Sequence, residues 1–239
     1  MKCIFSKKAS PSLLEEVNKL IRKCSLEDAI CYPFYTEEDF SIHLSVLALE
    51  EDAIVGFLLC TDDEFHESFG MVLPQFRKKG IFTEMLSLLH DNESIDNLTL
   101  YGRKSYPGIT ECANSLGFIY ENSEYLMEYT GSKPAVTTSL EVESEESTYY
   151  YYQGDNYIGQ CSIYKEQNTI NLFNIYVEEN HRNQGYGKEI VQNVIKILFS
   201  PNMKFRLQVN GANLPAINCY RACGFITTDS ITYFSKEVL

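Results

Sequence analysis

No stretch of this 239-residue sequence approaches the roughly 18–20 consecutive apolar residues of a membrane helix. The opening Met1-Lys2-Cys3-Ile4-Phe5-Ser6-Lys7-Lys8 has too short an apolar run for a secretory signal. Cys-x-x-Cys spacing is missing, although eight cysteines stand at positions 3, 24, 31, 60, 112, 161, 219 and 223. Thiols scattered in this way point to free, mostly buried side chains in a reducing cytoplasm, and neither a disulfide framework nor a metal site is expected. Cys219 and Cys223 are four apart on an expected helix, but two thiols without a nearby His make a poor metal site, so core packing is the reading. Positive charge is also scarce. The chain carries 20 Lys and Arg against 33 Asp and Glu, a net charge of −13. Nucleic-acid phosphates require a basic face, so no nucleic-acid partner is expected, and no membrane partner either. The imbalance is uneven: residues 1–130 hold 11 basic against 22 acidic residues, and residues 131–239 hold 9 against 11. Acidity attracts cationic substrates such as amines, but a solvated, solubilising surface is the blander and preferred explanation.

What is present centres on residues 175–188. Thr169 to Val177 is rich in β-formers and long enough for a strand. Ile190, Val191, Val194, Ile195 and Leu198 then recur at helical spacing. Between them, Gly185 and Gly187 are separated by one residue. A helix N-terminus presents unpaired N–H groups and the positive end of the helix dipole. Glycines there let a phosphate approach the backbone. Arg182 and Lys188 add positive charge, so a phosphate cradle is one reading and plain turn geometry the other. The pattern is neither a Walker loop nor a full Gly-x-Gly-x-x-Gly fingerprint.

The pattern occurs twice. Val72 to Phe82 repeats strand, basic turn, glycine and amphipathic helix (Met85, Leu86, Leu88, Leu89). Arg77 to Gly117 spans 40 residues and Arg182 to Gly224 spans 42; Gly56 to Arg77 spans 21 and Gly159 to Arg182 spans 23. Landmarks at near-constant offset mark an internal repeat. The expected boundary is the turn-rich Gly131-Ser132-Lys133-Pro134, giving domains 1–131 and 135–239. Strands are expected at 2–6, about 41–49, 53–61 and near 67–73, and a helix from Ser10-Pro11 to about Cys24. Each half is expected to end in a hairpin-like pair, at 118–130 and 225–238. The acidic run 141–146 is expected at a solvated strand edge or loop. The class is mixed α/β, with a mostly antiparallel sheet flanked by helices.

The ordered set Arg182, Gly185, Gly187, Asn213, Ala216, Tyr220, Gly224 and Phe225 resembles the GNAT superfamily of N-acetyltransferases. Leu172 to Val177 gives it the flavour of the ribosomal-protein alanine acetyltransferase type. The first half resembles the same family more faintly, so the chain looks like two tandem GNAT-like acyl-CoA N-acyltransferase domains. The resemblance implies acetyl-CoA as co-substrate. Its pyrophosphate would lie on the turn formed by Arg182, Asn183, Gln184, Gly185, Tyr186, Gly187 and Lys188. Ile175, Tyr176 and Val177 would pair with the pantetheine arm, and Asn213 would contact the cofactor. Tyr220 would protonate the leaving thiolate, where the bland alternative is a helix Tyr packed in the core. The acceptor would be an amine of a small molecule or a peptide, and a homodimer is left open. Gln208 stands where the alanine type carries a Glu base. That leaves Glu178, Glu179, Glu141, Glu143 or bulk solvent to take the proton, and His181 reads as exposed and structural. In the first half, Phe82 replaces the second glycine and no Asn-x-x-Ala precedes Gly117, so that half is expected to be mainly structural. The rival expectations are a non-catalytic acyl-CoA-binding or partner-binding module, and transfer of a different acyl group.

Overall fold

The computed structural model describes residues 1–7, 10–30, 32, 42–61, 66–93, 95, 97–106 and 108–237. Cys31 and most of the looser stretch before the second strand lie outside these residues. The chain forms two compact units, one of residues 1–121 with 232–239, the other of residues 122–231.

Unit one begins with β1 (Lys2–Ser6) and α1 (Pro11–Asp28). The Ser10 side chain accepts from the Leu13 amide and Pro11 takes the first helical position, so the helix starts where its orphan N–H groups find a partner. Leu14, Val17, Leu20, Ile21 and Cys24 form its buried stripe. β2 (Ile42–Glu50), β3 (Ala53–Thr61) and β4 (Glu67–Val72) follow, then α2 (Ile81–Asn92), β5 (Asn97–Arg103) and α3 (Ile109–Ser115). The sheet order is β1-β2-β3-β4-β5, antiparallel except between β4 and β5. Phe57, Leu58, Leu59, Met85 and Leu89 are fully buried in the core. Each such side chain contributes on the order of 2 kcal/mol from burial.

Unit two contains β7 (Glu141–Glu145), β8 (Thr148–Gln153), β9 (Asn156–Glu166), β10 (Thr169–Val177), α4 (Tyr186–Leu198), β11 (Lys204–Asn210) and α5 (Leu214–Cys223). Its core gathers Tyr151, Ile158, Ile190, Val194, Phe205 and Phe225. The acidic run forms β7, the last strand in the order β11-β10-β9-β8-β7. β10 and β11 run parallel and the other pairs are antiparallel. Among the described residues no helix is long and apolar enough to cross a membrane.

The two expected hairpins are corrected. Each is one continuous strand, β6 (Ile119–Tyr129) and β12 (Phe225–Glu237). Neither strand contains a Gly or Pro that would turn the chain back. Both strands are divided between the units, β6 after its third residue and β12 near its middle. Residues 122–129 of β6 belong to unit two, where Arg206↔Glu128 through Asn210↔Glu124 pair antiparallel with β11. Residues 225–231 of β12 also belong to unit two, whereas 232–237 belong to unit one, where Phe234 joins the core. The sequence boundary expected after residue 131 thus falls about ten residues beyond the division at 121/122.

Candidate active site

The site begins where β10 stops behaving as an ordinary strand. Its antiparallel register with β9 shifts between Phe173 and Tyr176, with Asn174 at φ 48°. That extra residue is a β-bulge, and Asn tolerates the left-handed conformation it requires. Gly159 lies opposite Val177, and any Cβ there would overlap the Tyr176 carbonyl oxygen. Parallel pairing of β10 with β11 ends at Leu172↔Leu207. Beyond it the strands separate, and the backbone of residues 173–177 has no strand partner on that edge among the described residues.

A 3-10 turn (Glu179–His181) follows and leads into α4. The Arg182 Nε donates to the Val177 carbonyl at 3.0 Å, folding the side chain back on the strand end. Its guanidinium lies 5.8 Å from the Tyr176 ring, and Glu179 is 3.4 Å away. Asn183 has φ 62° and Gly185 φ 90°, so two left-handed residues swing the chain into the helix. No side chain caps α4, and residues 182–185 are exposed. The N–H groups of its first turn therefore face outward unpaired, a ready anion site. A Cβ on Gly187 would meet only Cys219 Sγ at 3.5 Å and Val177 Cγ2 at 3.8 Å, so the glycine leaves the space above the helix end clear. Ile175 and Val177 pack towards the core, while Tyr176 is 37 % exposed. The Tyr186 hydroxyl donates to Gln153 Oε1 at 3.4 Å.

α5 lies against α4 and carries the other candidates. Asn213 Oδ1 accepts from the Ala216 amide at 3.2 Å and caps the helix, leaving its NH₂ as a donor. Tyr220 is buried, and burial raises its pKa above the usual phenol value, so it holds its proton. Its hydroxyl has no hydrogen-bond partner among the described residues. Cys219 titrates below the usual thiol value because it accepts a hydrogen bond from Cys223, with Lys188 adding positive charge nearby.

Gln208 follows Leu207, the last β11 residue paired with β10. Leu207 and Val209 are buried on one face, so Gln208 lies on the other, together with Arg206. There the Gln208 Nε2 donates to Glu124 Oε2 on β6, and Arg206 Nε donates to Glu128 at 3.0 Å. Glu124 carried no signal in the sequence. It sits in the first copy, and only the continuous β6 brings it here. Tyr176 pairs with Gln160, Gln160 with Tyr150, and Tyr150 with Glu143, which forms a transverse row across four strands. The Tyr157 hydroxyl is pushed up to about 12 by burial, with the negative charge of Glu178 adding to it.

Unit one repeats this turn at a constant offset. Arg77 Nε donates to the Val72 carbonyl at 2.9 Å, Lys78 has φ 61°, and Gly80 has φ 78°. The rest differs. β4 has no register shift against β3, hence no bulge. Asp28 holds both terminal nitrogens of Arg77, at 2.9 and 2.6 Å, and accepts from the Tyr32 hydroxyl at 2.9 Å. The Phe82 ring stands where Gly187 leaves space, so close to β4 that a Cβ on Gly70 would meet it at 2.6 Å. Between β4 and β5 is a mainly apolar cavity of about 490 Å³, lined among others by Phe69, Met71, Phe82, Tyr101, Tyr106 and Cys112.

Residues 115–225 match the family model of the acetyltransferase (GNAT) family. The chain matches no curated protein sequence. Among solved structures it is similar to a GCN5-related N-acetyltransferase from Sphaerobacter thermophilus, with 14 % identity, TM-score 0.76, and coverage of 98 % of this chain and 95 % of that one. A tandem GNAT protein from the clavulanic acid biosynthesis pathway gives 13 %, 0.71, and 99 % and 98 %. A GNAT-family acetyltransferase from Colwellia psychrerythraea gives 11 %, 0.67, and 98 % and 99 %. At these identities the likeness establishes the fold. The chain has the GNAT acetyltransferase fold, a mixed α/β sheet flanked by helices.

Proposed function

We propose that the protein is an acetyl-CoA-dependent N-acetyltransferase whose unit two is active. One observation carries the reading: the uncapped, glycine-opened N-terminus of α4 stands beside a bulged strand whose edge is unpaired. The family match over residues 115–225 supports it. Acetyl-CoA supplies the thioester carbonyl that an amine attacks. The turn from Arg182 to Lys188 receives the pyrophosphate, with Gly187 giving clearance. The unpaired backbone of Ile175 to Val177 lies along the pantetheine arm, and an amide near Val177 donates to the developing oxyanion. Asn213 offers its NH₂ to the cofactor. Tyr220 holds its proton and gives it to the departing thiolate. An alkylamine, with a pKa of about 10.4, must lose a proton before it attacks.

The acceptor is an amine of a small molecule or a peptide. The alanine-type likeness of residues 172–177 does not extend to Gln208, so a protein N-terminus is not singled out. The scattered cysteines, of which the seven described are unpaired, favour a cytoplasmic protein. The test is calorimetric titration with acetyl-CoA, followed by a thiol-release screen with amines. No binding at millimolar acetyl-CoA sinks the proposal. Gln208 in the carboxylate position favours a second reading, a non-catalytic acyl-CoA-binding module. Cofactor binding without turnover of any amine would establish it. Mass spectrometry of a co-purifying ligand would reveal a different acyl group.

A further inference from the structure

We infer that Glu124, contributed by the first sequence copy, takes the proton from the acceptor amine in unit two, with Gln208 as its positioning residue. The inference rests on the acetyltransferase reading. Pairing of β10 with β11 ends at Leu207, so Gln208 is the first β11 residue at the lip of the gap. Its side chain leaves the sheet on the face opposite the core, because Leu207 and Val209 are buried on the other. The antiparallel register of β6 and β11 sets Glu124 against Asn210 and Leu126 against Gln208, which makes Glu124 the diagonal neighbour of Gln208 on that face. The Gln208 amide donates to Glu124 Oε2 and fixes the carboxylate at the lip.

Charge explains the residue pair. A Glu at 208 beside Glu124 would set two carboxylates together, and one would be driven to its protonated form. Gln208 keeps one negative charge and adds an amide to orient it. The other carboxylates fit less well. Glu128 is held by Arg206, and Glu179 faces Arg182 in the exposed turn. Glu141 and Glu143 lie on β7, three strands from β10, or about 14 Å at a strand spacing of roughly 4.8 Å. Tyr176, 37 % exposed, borders the gap from β10 on the face that Gln208 occupies, so the amine approaches from the side where Glu124 waits.

The proton ledger closes. Glu124 accepts one proton from the ammonium, directly or through one water, and the neutral nitrogen attacks the thioester carbonyl. The C–N bond forms, the C–S bond breaks, and Tyr220 protonates the thiolate. The remaining ammonium-type proton on the new amide nitrogen returns to the Tyr220 phenolate through water, and Glu124 releases its proton to solvent. The products are one amide and one thiol.

The experiment compares wild type, Glu124→Gln, Gln208→Glu, the double exchange Glu124→Gln/Gln208→Glu, and Glu178→Gln. The probes are acetyl-CoA with tyramine, spermidine and an alanine-leading tripeptide, and the amine that turns over best is profiled against pH. Glu124→Gln is expected to lower kcat/KM by about 10²–10³-fold and to abolish the acid limb of the profile. Acetyl-CoA affinity and melting temperature should stay unchanged. The double exchange, which moves the carboxylate across the hydrogen bond, should recover most of the rate and the limb. A Glu124→Gln enzyme with the wild-type profile overturns the inference and leaves the acetyltransferase reading intact. Loss of the limb in Glu178→Gln instead assigns the role to Glu178 and also overturns it. Acetyl-CoA binding by wild type without turnover of any of the three amines overturns the reading and the inference together. If Glu124→Gln does not fold, the Gln208→Glu profile decides: an acid limb raised by about a unit or more supports the inference, because the two carboxylates then share one site, and an unmoved limb overturns it.

Discussion

Arg182 Nε donates to the carbonyl of Val177 at 3.0 Å, and Arg77 makes the same bond to Val72 at 2.9 Å. The arginine therefore braces the strand end against the turn in both units. In the proposed site, the charge it offers a phosphate would be a second role. Replacing Arg182 with Ala should lower acetyl-CoA affinity about tenfold and stability by about 1 kcal/mol, the worth of one such hydrogen bond. Lys keeps the charge but lacks the planar fork, so Arg182→Lys should behave like Ala. Calorimetry and thermal melting decide it, and full rescue by Lys would reduce Arg182 to a point charge.

Gly187 and Phe82 occupy the same place in the two copies. A methyl group fits at 187, since its nearest neighbours would be 3.5 and 3.8 Å away. Gly187→Ala should thus fold normally and bind acetyl-CoA about tenfold more weakly, because the methyl sits where a phosphate approaches the amides, an effect of order 1.4 kcal/mol. Gly187→Phe should abolish binding, whereas Gly80→Glu in unit one should leave it nearly intact. Equal losses from the two would reveal a working site in unit one.

Burial raises the pKa of the Tyr220 phenol further above neutrality, so the hydroxyl keeps its proton. Tyr220→Phe removes the hydroxyl and keeps the packing against Phe225, whose ring lies 6.3 Å away. Turnover should fall by about 10²-fold, the usual worth of a positioned acid, with little change in acetyl-CoA affinity. Unchanged steady-state turnover would remove Tyr220 from the chemistry and leave it a core residue.

The Arg77 guanidinium holds the Asp28 carboxyl below its ordinary value of 3.8, and burial opposes this. A depressed carboxyl stabilises the fold above that ordinary value, and the contribution is lost as pH falls through the lower folded value. Asp28 is only 10 % exposed, so Asp28→Asn should cost about 1–3 kcal/mol at pH 7, the penalty for a charged hydrogen-bond partner left unmatched. The gap between wild type and variant should close as pH drops below 3.8. Urea midpoints at pH 7 and below 3.8 measure it, and a gap constant with pH would exclude the ion pair as the cause.

Local chemistry made much of the fold legible in advance. Ser10-Pro11 placed the start of α1, and Gly185 after a β-rich run placed the turn into α4, because capping and left-handed glycines act within a few residues. The two copies were readable through offsets that a shared turn geometry preserves. Three features depended on distant partners. The bulge at Asn174 exists only against β9, and nothing near position 174 distinguishes it from a surface turn residue. Segments 118–130 and 225–238 each set a polar middle, 121–124 and 227–230, between apolar clusters as a hairpin turn would, and only pairing with β11 and the unit-one core draws each into one strand. Glu124 is about 84 residues from Gln208 in sequence, a separation over which periodicity carries no information.

The divided β12 also sets an order of events at the ribosome. Residues 232–237 complete unit one, so its sheet waits for a segment synthesised only after all of unit two. Unit two, assembled from residues 122–231, has all its strands available sooner. Nascent chains stalled with β12 still inside the exit tunnel should show unit one open to protease, and protection should arrive only once residues 232–237 have emerged. Protection of unit one before β12 emerges would show that its sheet closes without it.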